Sequence, residues 1–350
     1  MKKYVLALLC GAVLLLSFSG CAQKDQEDAL VIFNYGEYMD PQVIELFEEE
    51  TGIEVKYEEY VTPEDMYTKF EGGGTQYDLI CTSDYMVEKM IAAGQAKPID
   101  WDSMENAHLI DKTYMNFCSQ FDPGNTYACP YLFGTVGILY NTNMVKQDID
   151  SWEVLWDSTY QNSIIAENSV RDAFLPALKL LGYSINTTKK DQLQGAFSLL
   201  KGQKPILMAY LVDETRDVMI GEEAALAVTY SGDATEAIDA NPNLAYVVPK
   251  EGSNIWFDCF MIPSSCQHEE YANRFIDFLC REDIAMMNFE YIYYGSPNRA
   301  VYQALDEETR QDETIFPSRE VLDKCEVYQY LGQDTEQYYN RLWKELKAYR

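Results

Sequence analysis

The stretch Leu30-Val31-Ile32-Phe33-Asn34-Tyr35-Gly36-Glu37-Tyr38-Met39-Asp40-Pro41 passes from a strand to a helix through one aromatic, acidic turn. Its apolar, β-branched opening predicts a short buried strand. Asp40 is placed to cap a helix beginning at Pro41, where a missing N–H costs nothing. Gly52 predicts the stop of that helix. Tyr35, Glu37 and Tyr38 therefore stand just past the carboxyl end of a strand.

The same order repeats downstream. Val55 and Tyr57 alternate with charged residues in a second strand, and Thr62-Pro63-Glu64 opens a helix that ends at Gly72-Gly73-Gly74. Tyr77-Asp78-Leu79-Ile80-Cys81 reads as a third strand, running into Thr82-Ser83-Asp84-Tyr85. Strands and helices alternating at this spacing predict an α/β fold with an open sheet. Ligands of such sheets collect beyond the carboxyl ends of the strands, where Ser83 and Tyr85 join the first turn.

Further along, Phe133 to Asn141 is apolar and punctuated by glycine. Ser163-Ile164-Ile165-Ala166 is a strand leading to Ser169 and to Asp172 in the first turn of a helix, where the dipole favours a carboxylate with or without a ligand. Ala225 to Tyr230 is another strand, emptying into Ser231-Gly232-Asp233. Ala272, Phe275, Ile276 and Leu279 fall at helical spacing and read as core. Tyr291, Tyr293 and Tyr294 could suit ferric iron, but no His or carboxylate triplet supports a metal. At the end, Asp334 and Gln337 look like a helix cap, with Tyr339, Leu342, Trp343 and Leu346 forming one apolar face.

In Asn254-Ile255-Trp256-Phe257-Asp258-Cys259-Phe260 an indole stands beside a carboxylate. A π-face attracts an organic ammonium by roughly 0.5–2 kcal/mol, and the acid accepts its charged hydrogen bonds. Alone, the stretch reads equally as an ordinary strand, aromatic-in and polar-out, with Asp258 at its mouth. The pairing of ring and acid recurs, however, at Tyr35/Glu37/Tyr38, Tyr85, Asp172, Tyr230/Asp233 and Tyr294.

Composition narrows the partners. Against 57 Asp and Glu stand 27 Lys and Arg, a formal net charge of −30. Nucleic acid is a poor partner for such a chain, whereas cationic solutes are steered toward it. With 2 histidines in 350 residues, His-based triads and most zinc sites are disfavoured. The glycine run 72–74 lacks the Lys-Ser or Lys-Thr of a phosphate cradle. No cofactor is implied.

Residues 1–20 read as a signal peptide: Lys2 and Lys3 precede an apolar run too short to span a bilayer. Phe18-Ser19-Gly20-Cys21 resembles a bacterial lipobox, which would make Cys21 the lipid-bearing first residue of the mature chain. Its loss of Lys2 and Lys3 takes the net charge from −30 to −32. Residues 21–28 would be a tether, holding a soluble body outside the cytoplasm. Of 9 cysteines, those other than Cys10 and Cys21 sit largely in apolar runs and read as core residues.

The chain resembles the spermidine/putrescine-binding proteins of bacterial polyamine ABC importers over nearly all of its mature length. The resemblance is carried by Asn34-Tyr35-Gly36-Glu37-Tyr38, Thr51-Gly52-Ile53-Glu54-Val55, Tyr77-Asp78-Leu79 with Ser83-Asp84-Tyr85, and Pro130-Tyr131 with Gly134. It continues through Ser151-Trp152, Leu155-Trp156, Leu181-Gly182-Tyr183-Ser184, Val248-Pro249-Lys250-Glu251-Gly252 and Gly295-Ser296-Pro297-Asn298.

The resemblance implies a two-lobed, type II periplasmic-binding-protein-like fold with the ligand cleft between lobes. Lobe one would comprise 29–135 and 258–309, and lobe two 136–257 and 310–350. Trp256, Tyr35 and Tyr230 would wall a methylene chain, while Glu37, Asp172, Asp233 and Asp258 neutralise its amines. Ser83 and Tyr85 would add hydroxyl contacts, and Tyr38, Ser169 and Tyr294 complete the set. Arg171 would be a scaffold charge that orients acids. The implied partners are a polyamine, an ABC permease and its ATPase, for a monomer with no enzymatic activity. Tyr35 and Tyr230 stand where spermidine binders of the family often carry Trp, and Ser169 where they carry another acid, which leaves the preferred polyamine open. Two alternatives remain: a secreted carbohydrate-active enzyme using Glu37 and Asp258 as acid and base, and a binder of another organic cation such as a betaine.

Overall fold

A computed structural model describes residues 29–349. The leader, Cys21 and the tether lie outside the described residues. The first elements follow the expected order: β1 (Ala29–Tyr35), α1 (Pro41–Thr51), β2 (Glu54–Tyr60), α2 (Pro63–Glu71), β3 (Leu79–Ser83) and α3 (Asp84–Ala92). Asp40 Oδ1 accepts from the Gln42 N–H at 2.9 Å, so the cap is made, and Gly52 ends α1 at φ 72°, where a side chain would be strained. β1 runs parallel to both β2 and β3, which puts the ends of these strands on one edge.

Next come β4 (Ala96–Lys97), β5 (Ala128–Asn141), β6 (Ile164–Glu167), α4 (Val170–Leu180), β7 (Ala209–Leu211), β8 (Leu226–Tyr230) and α5 (Ser231–Ala240). β9 (Leu244–Val247), β10 (Ile255–Pro263), α6 (Glu269–Leu279) and α7 (Gln333–Ala348) complete the frame. The strand order is β2-β1-β3-β10-β5-β8-β6-β7, with β4 beside β10 and β9 beside β5. β5 serves both halves of the sheet. It pairs with β10 from Ala128 to Thr135, then with β8 from Val136 to Tyr140.

Each half is covered on both faces, and the two-residue period of the strands sorts side chains between layers. In the first lobe Leu30 and Ile32 meet Phe47 and Phe275 on one side, while Phe33 meets Tyr77 and Phe257 on the other. In the second, Ile138 and Ile164 pack with Trp152 and Leu175, whereas Leu139 and Ile165 pack with Met219 and Leu244. Each such large side chain contributes about 1.5–3 kcal/mol by leaving water. The result is a two-lobed α/β protein. Six of the seven cysteines of the described residues are buried and all are unpaired, as core residues would be. Among the described residues no helix is long and apolar enough to cross a membrane.

Two expectations need correction. Residues 310–350 do not all join the second lobe: Ile315, Phe316, Leu322 and Val327 pack with Phe33 and Phe257 of the first, as does Ile255. The tail crosses at Val327/Tyr328, where successive side chains face opposite lobes and the Ile255 N–H donates to the Glu326 carbonyl at 3.1 Å. Asp334 does not cap the last helix either. Gly332, at φ 78°, makes the turn, α7 begins at Gln333, and Asp334 falls inside its first turn. The apolar face is as expected, with Tyr339, Leu342, Trp343 and Leu346 buried.

Candidate functional site

Strand register assembles the centre of the molecule. On adjacent strands, Ser83 of β3 stands opposite Asp258 of β10, Trp256 of β10 opposite Gly134 of β5, and Val136 of β5 opposite Tyr230 of β8. A line of residues thus steps from one lobe into the other. Gly134 is required here: a Cβ at 134 would collide with the Trp256 ring and with Ser231 Oγ, so only glycine lets the indole lie across β5. Trp256 is half-buried, and the rings of Tyr294 and Tyr230 meet it edge-on at 4.8 and 6.3 Å.

At the first-lobe end the acid is Asp258, 9% exposed rather than open to water at a strand mouth. Tyr38, from the turn after β1, donates its hydroxyl to Asp258 Oδ2 at 2.7 Å, and the Tyr35 hydroxyl also favours the ionised acid. Burial nevertheless raises the carboxyl to about 6, the tyrosine donors opposing it. Tyr35 and Tyr38 pack edge to face at 5.3 Å, and Tyr38 meets Tyr294 at 6.0 Å.

At the second-lobe end Asp172, in the first turn of α4, accepts two tyrosine hydroxyls at 2.9 Å each, from Tyr230 and Tyr328. Arg171 acts on this acid at one remove. Its guanidinium lies over the Tyr328 ring at 4.3 Å and donates to the Gln329 and Ile185 carbonyls and to Asn186 Oδ1. Asp233, in the first turn of α5, is raised to about 6 by burial, with Arg216 pulling the other way.

Other expected residues are placed less centrally. Tyr85 is half-buried between the two lobes and donates to Glu64 Oε1 at 3.1 Å. Ser83 Oγ is buried without a hydrogen-bond partner, and so is Trp256 Nε1. Ser169 is the residue before α4, and its side chain makes no cap. Glu37 departs from expectation. It is exposed, at φ 53°, because the turn after β1 points Tyr35 and Tyr38 inward and leaves the residue between them outside. Tyr291 and Tyr293 are exposed, and among the described residues no group of three His, Cys, Asp or Glu could hold a metal.

Sequence reasoning missed three residues. Asp84 is 1% exposed, and its oxygens accept from the Tyr85 N–H at 2.7 Å and the Phe257 N–H at 3.4 Å, tying α3 to β10 beside Asp258. Tyr328 was hidden in the tail. Glu167, the last residue of β6, is buried, which pushes its carboxyl up, and the charges of Asp172 and Asp233 add to the effect. Its position past an apolar run, at the end of a parallel strand, was a usable signal. A cavity of about 500 Å³ lies elsewhere, lined by Arg299, Arg310 and Arg319 together with Asp111 and Glu313, and takes in none of the site residues above.

A family model described as bacterial extracellular solute-binding protein matches residues 42–317. The spermidine/putrescine-binding periplasmic protein of Escherichia coli (strain K12) is 34% identical over 349 residues, covering 98% of this chain and 99% of its own. A putrescine-binding periplasmic protein of Pseudomonas aeruginosa (strain UCBPP-PA14) is 28% identical over 365 residues, 99% of each chain. Among solved structures, the spermidine/putrescine ABC transporter substrate-binding protein of Streptococcus pneumoniae aligns with a TM-score of 0.84 and 38% identity, covering 92% of this chain and 99% of that one. With two lobes, a ring-and-acid seam between them and a full-length likeness to such proteins, the chain belongs to the bacterial extracellular solute-binding proteins.

Proposed function

We propose that this protein captures a polyamine, spermidine or putrescine, outside the cytoplasm and delivers it to an ABC import permease and its ATPase. One observation carries the reading: a buried acid dressed by tyrosine hydroxyls on each lobe, Asp258 and Asp172, with Trp256 between them. A diamine or triamine offers a cation to each acid and a methylene chain to the rings. Each charge-assisted hydrogen bond to a desolvated ammonium contributes roughly 1.5–3 kcal/mol, so two or three ammonium ions reach the roughly 8 kcal/mol of micromolar binding after association costs. The relatives named above bear polyamine names over their full length, which supports the same class here.

Ser83, Tyr85, Ser169, Tyr230, Asp233 and Tyr294 are proposed as further ligand contacts, and Glu37 as a rim charge met on approach. The paired-carboxylate enzyme is less well supported, since exposed Glu37 and buried Asp258 do not form an enclosed pair. The protein is proposed to be a monomer held to the membrane by lipid on Cys21. Changing Cys21→Ser should move it from the membrane fraction to the soluble fraction; retention in the membrane fraction would refute the anchor.

Titration calorimetry with putrescine, cadaverine, spermidine, spermine and a neutral sugar tests the function. Micromolar or tighter binding of spermidine or putrescine, with none of the sugar, is expected. Saturable sugar binding without polyamine binding would overturn the reading, and tight betaine binding unaffected by spermidine would point to the other cation class.

A further inference from the structure

β6 ends in a carboxylate that the protein leaves half-satisfied. Glu167 is 1% exposed; its Oε1 accepts from the Asn168 N–H at 3.1 Å, while its Oε2 is buried with no hydrogen-bond partner. A buried acid oxygen without a donor is strongly unfavourable unless something arrives to meet it. The surroundings identify what that is. The charges of Asp172 at the start of α4, Asp233 at the start of α5 and Asp213 just after β7 all bear on Glu167. β6 runs parallel to β8, so Glu167 ends beside the end of β8 where Tyr230 stands, and the hydroxyls of Tyr230 and Tyr294 feel its charge. Arg216 pulls on Asp233 but is itself ion-paired with Glu236.

Asp172 already accepts a tyrosine hydroxyl on each oxygen, so it is held in place before any ligand comes. Asp84, the buried acid of the first lobe, is likewise occupied by two backbone N–H groups. Glu167 differs from both in having a whole oxygen free.

We propose that Glu167 is a ligand-binding carboxylate of the second lobe, whose free Oε2 accepts an ammonium group of the bound polyamine beside Asp172 and Asp233. This deepens the polyamine reading and rests on it. Asp172 stands in the first turn of α4, and Glu167, at the end of the preceding strand, adds a second acid there. With Glu167, Asp172 and Asp233 all in the second lobe, a ligand that brings a second cation there is favoured, so the effect falls more heavily on a triamine than on a diamine.

The test is Glu167→Gln, which keeps the shape and removes the charge, titrated with spermidine and with putrescine. Spermidine affinity should fall at least tenfold, and more than that of putrescine. The melting temperature of the ligand-free variant should not fall, because a buried half-satisfied acid has been removed rather than a support. Spermidine titrations at pH 6 in buffers of different ionisation enthalpy add a second readout: fewer protons should be released on binding by Glu167→Gln than by the parent. If Glu167→Gln fails to fold, Glu167→Asp, with the charge drawn back by one methylene, should show a smaller loss in the same direction. Spermidine affinity within twofold of the parent, with unchanged proton release, would overturn this assignment while leaving the polyamine reading intact. A parent protein that binds no polyamine would overturn both.

Discussion

The Tyr38 hydroxyl lies 2.7 Å from Asp258 Oδ2 and donates to it across 220 residues of chain. The hydrogen bond holds the acid ionisable in a site that burial would otherwise neutralise. Removing the acid should therefore hurt more than removing its donor. Asp258→Asn is expected to weaken polyamine binding by about 3–5 kcal/mol, the usual loss when a buried ion pair is left with one partner. Tyr38→Phe should lose about 1.5–3 kcal/mol, as for a hydrogen bond to a charged group. Calorimetry on the two variants gives the order, and equal losses would contradict it.

Acid pH should act on binding and on stability in opposite directions. Asp258 and Asp233 are each raised to about 6, mainly by burial. A cation needs the ionised form, so affinity should be constant above about pH 7 and weaken as pH falls through 6. In the free protein the sign reverses. Groups with raised native pKa values bind more protons folded than unfolded between their unfolded and folded pKa values. Stability should thus rise as pH falls from about 7 to about 4, by on the order of 3 kcal/mol for each acid if its full shift is expressed. Melting curves with and without spermidine from pH 4.5 to 7.5 check both slopes.

Gly232 and Tyr294 touch between the lobes. A Cβ at 232 would collide with Tyr294 Cε1, so α5 can approach only because its second residue has no side chain. Gly232→Ala should hold the lobes apart and weaken ligand binding by tenfold or more. Adding Tyr294→Ala should restore the approach, though not the ring's own contribution. Small-angle scattering with saturating spermidine should show a larger radius for Gly232→Ala than for the parent, and a return in the double variant.

Reduction should leave the fold unaffected. The seven cysteines of the described residues are unpaired, and six are buried, with Cys129 and Cys280 Sγ atoms 3.9 Å apart and not bonded. Dithiothreitol is expected to leave the melting temperature within about 1 °C, and the six buried thiols should react with a thiol reagent only after denaturation, whereas partly exposed Cys325 reacts in the native protein.

The strands were legible because their apolar runs and the turns after them are local signals. Tyr35, Tyr38, Asp258 and Asp172 could be singled out for that reason. The exposure of Glu37 was not legible, because adjacency in a turn says nothing about which residue points inward. Here Tyr38 does, and its neighbour faces water. Tyr328 was not legible, since its contact with Asp172 joins residues 156 apart in the chain. The lobe of residues 315–327 could not be read either: their apolar spacing says that they are buried, but not against which sheet.

Because β5 carries the ladder of one lobe along its first half and that of the other along its second, neither lobe owns a complete sheet. Melting one would strip the central strand from its neighbour, and the return of the chain at Val327 and Tyr328 ties the cores a second time. The halves therefore lack independent thermodynamic lives. Heating should give a single endotherm with calorimetric and van't Hoff enthalpies in agreement, and a fragment cut between Thr135 and Val136 should not retain a native half.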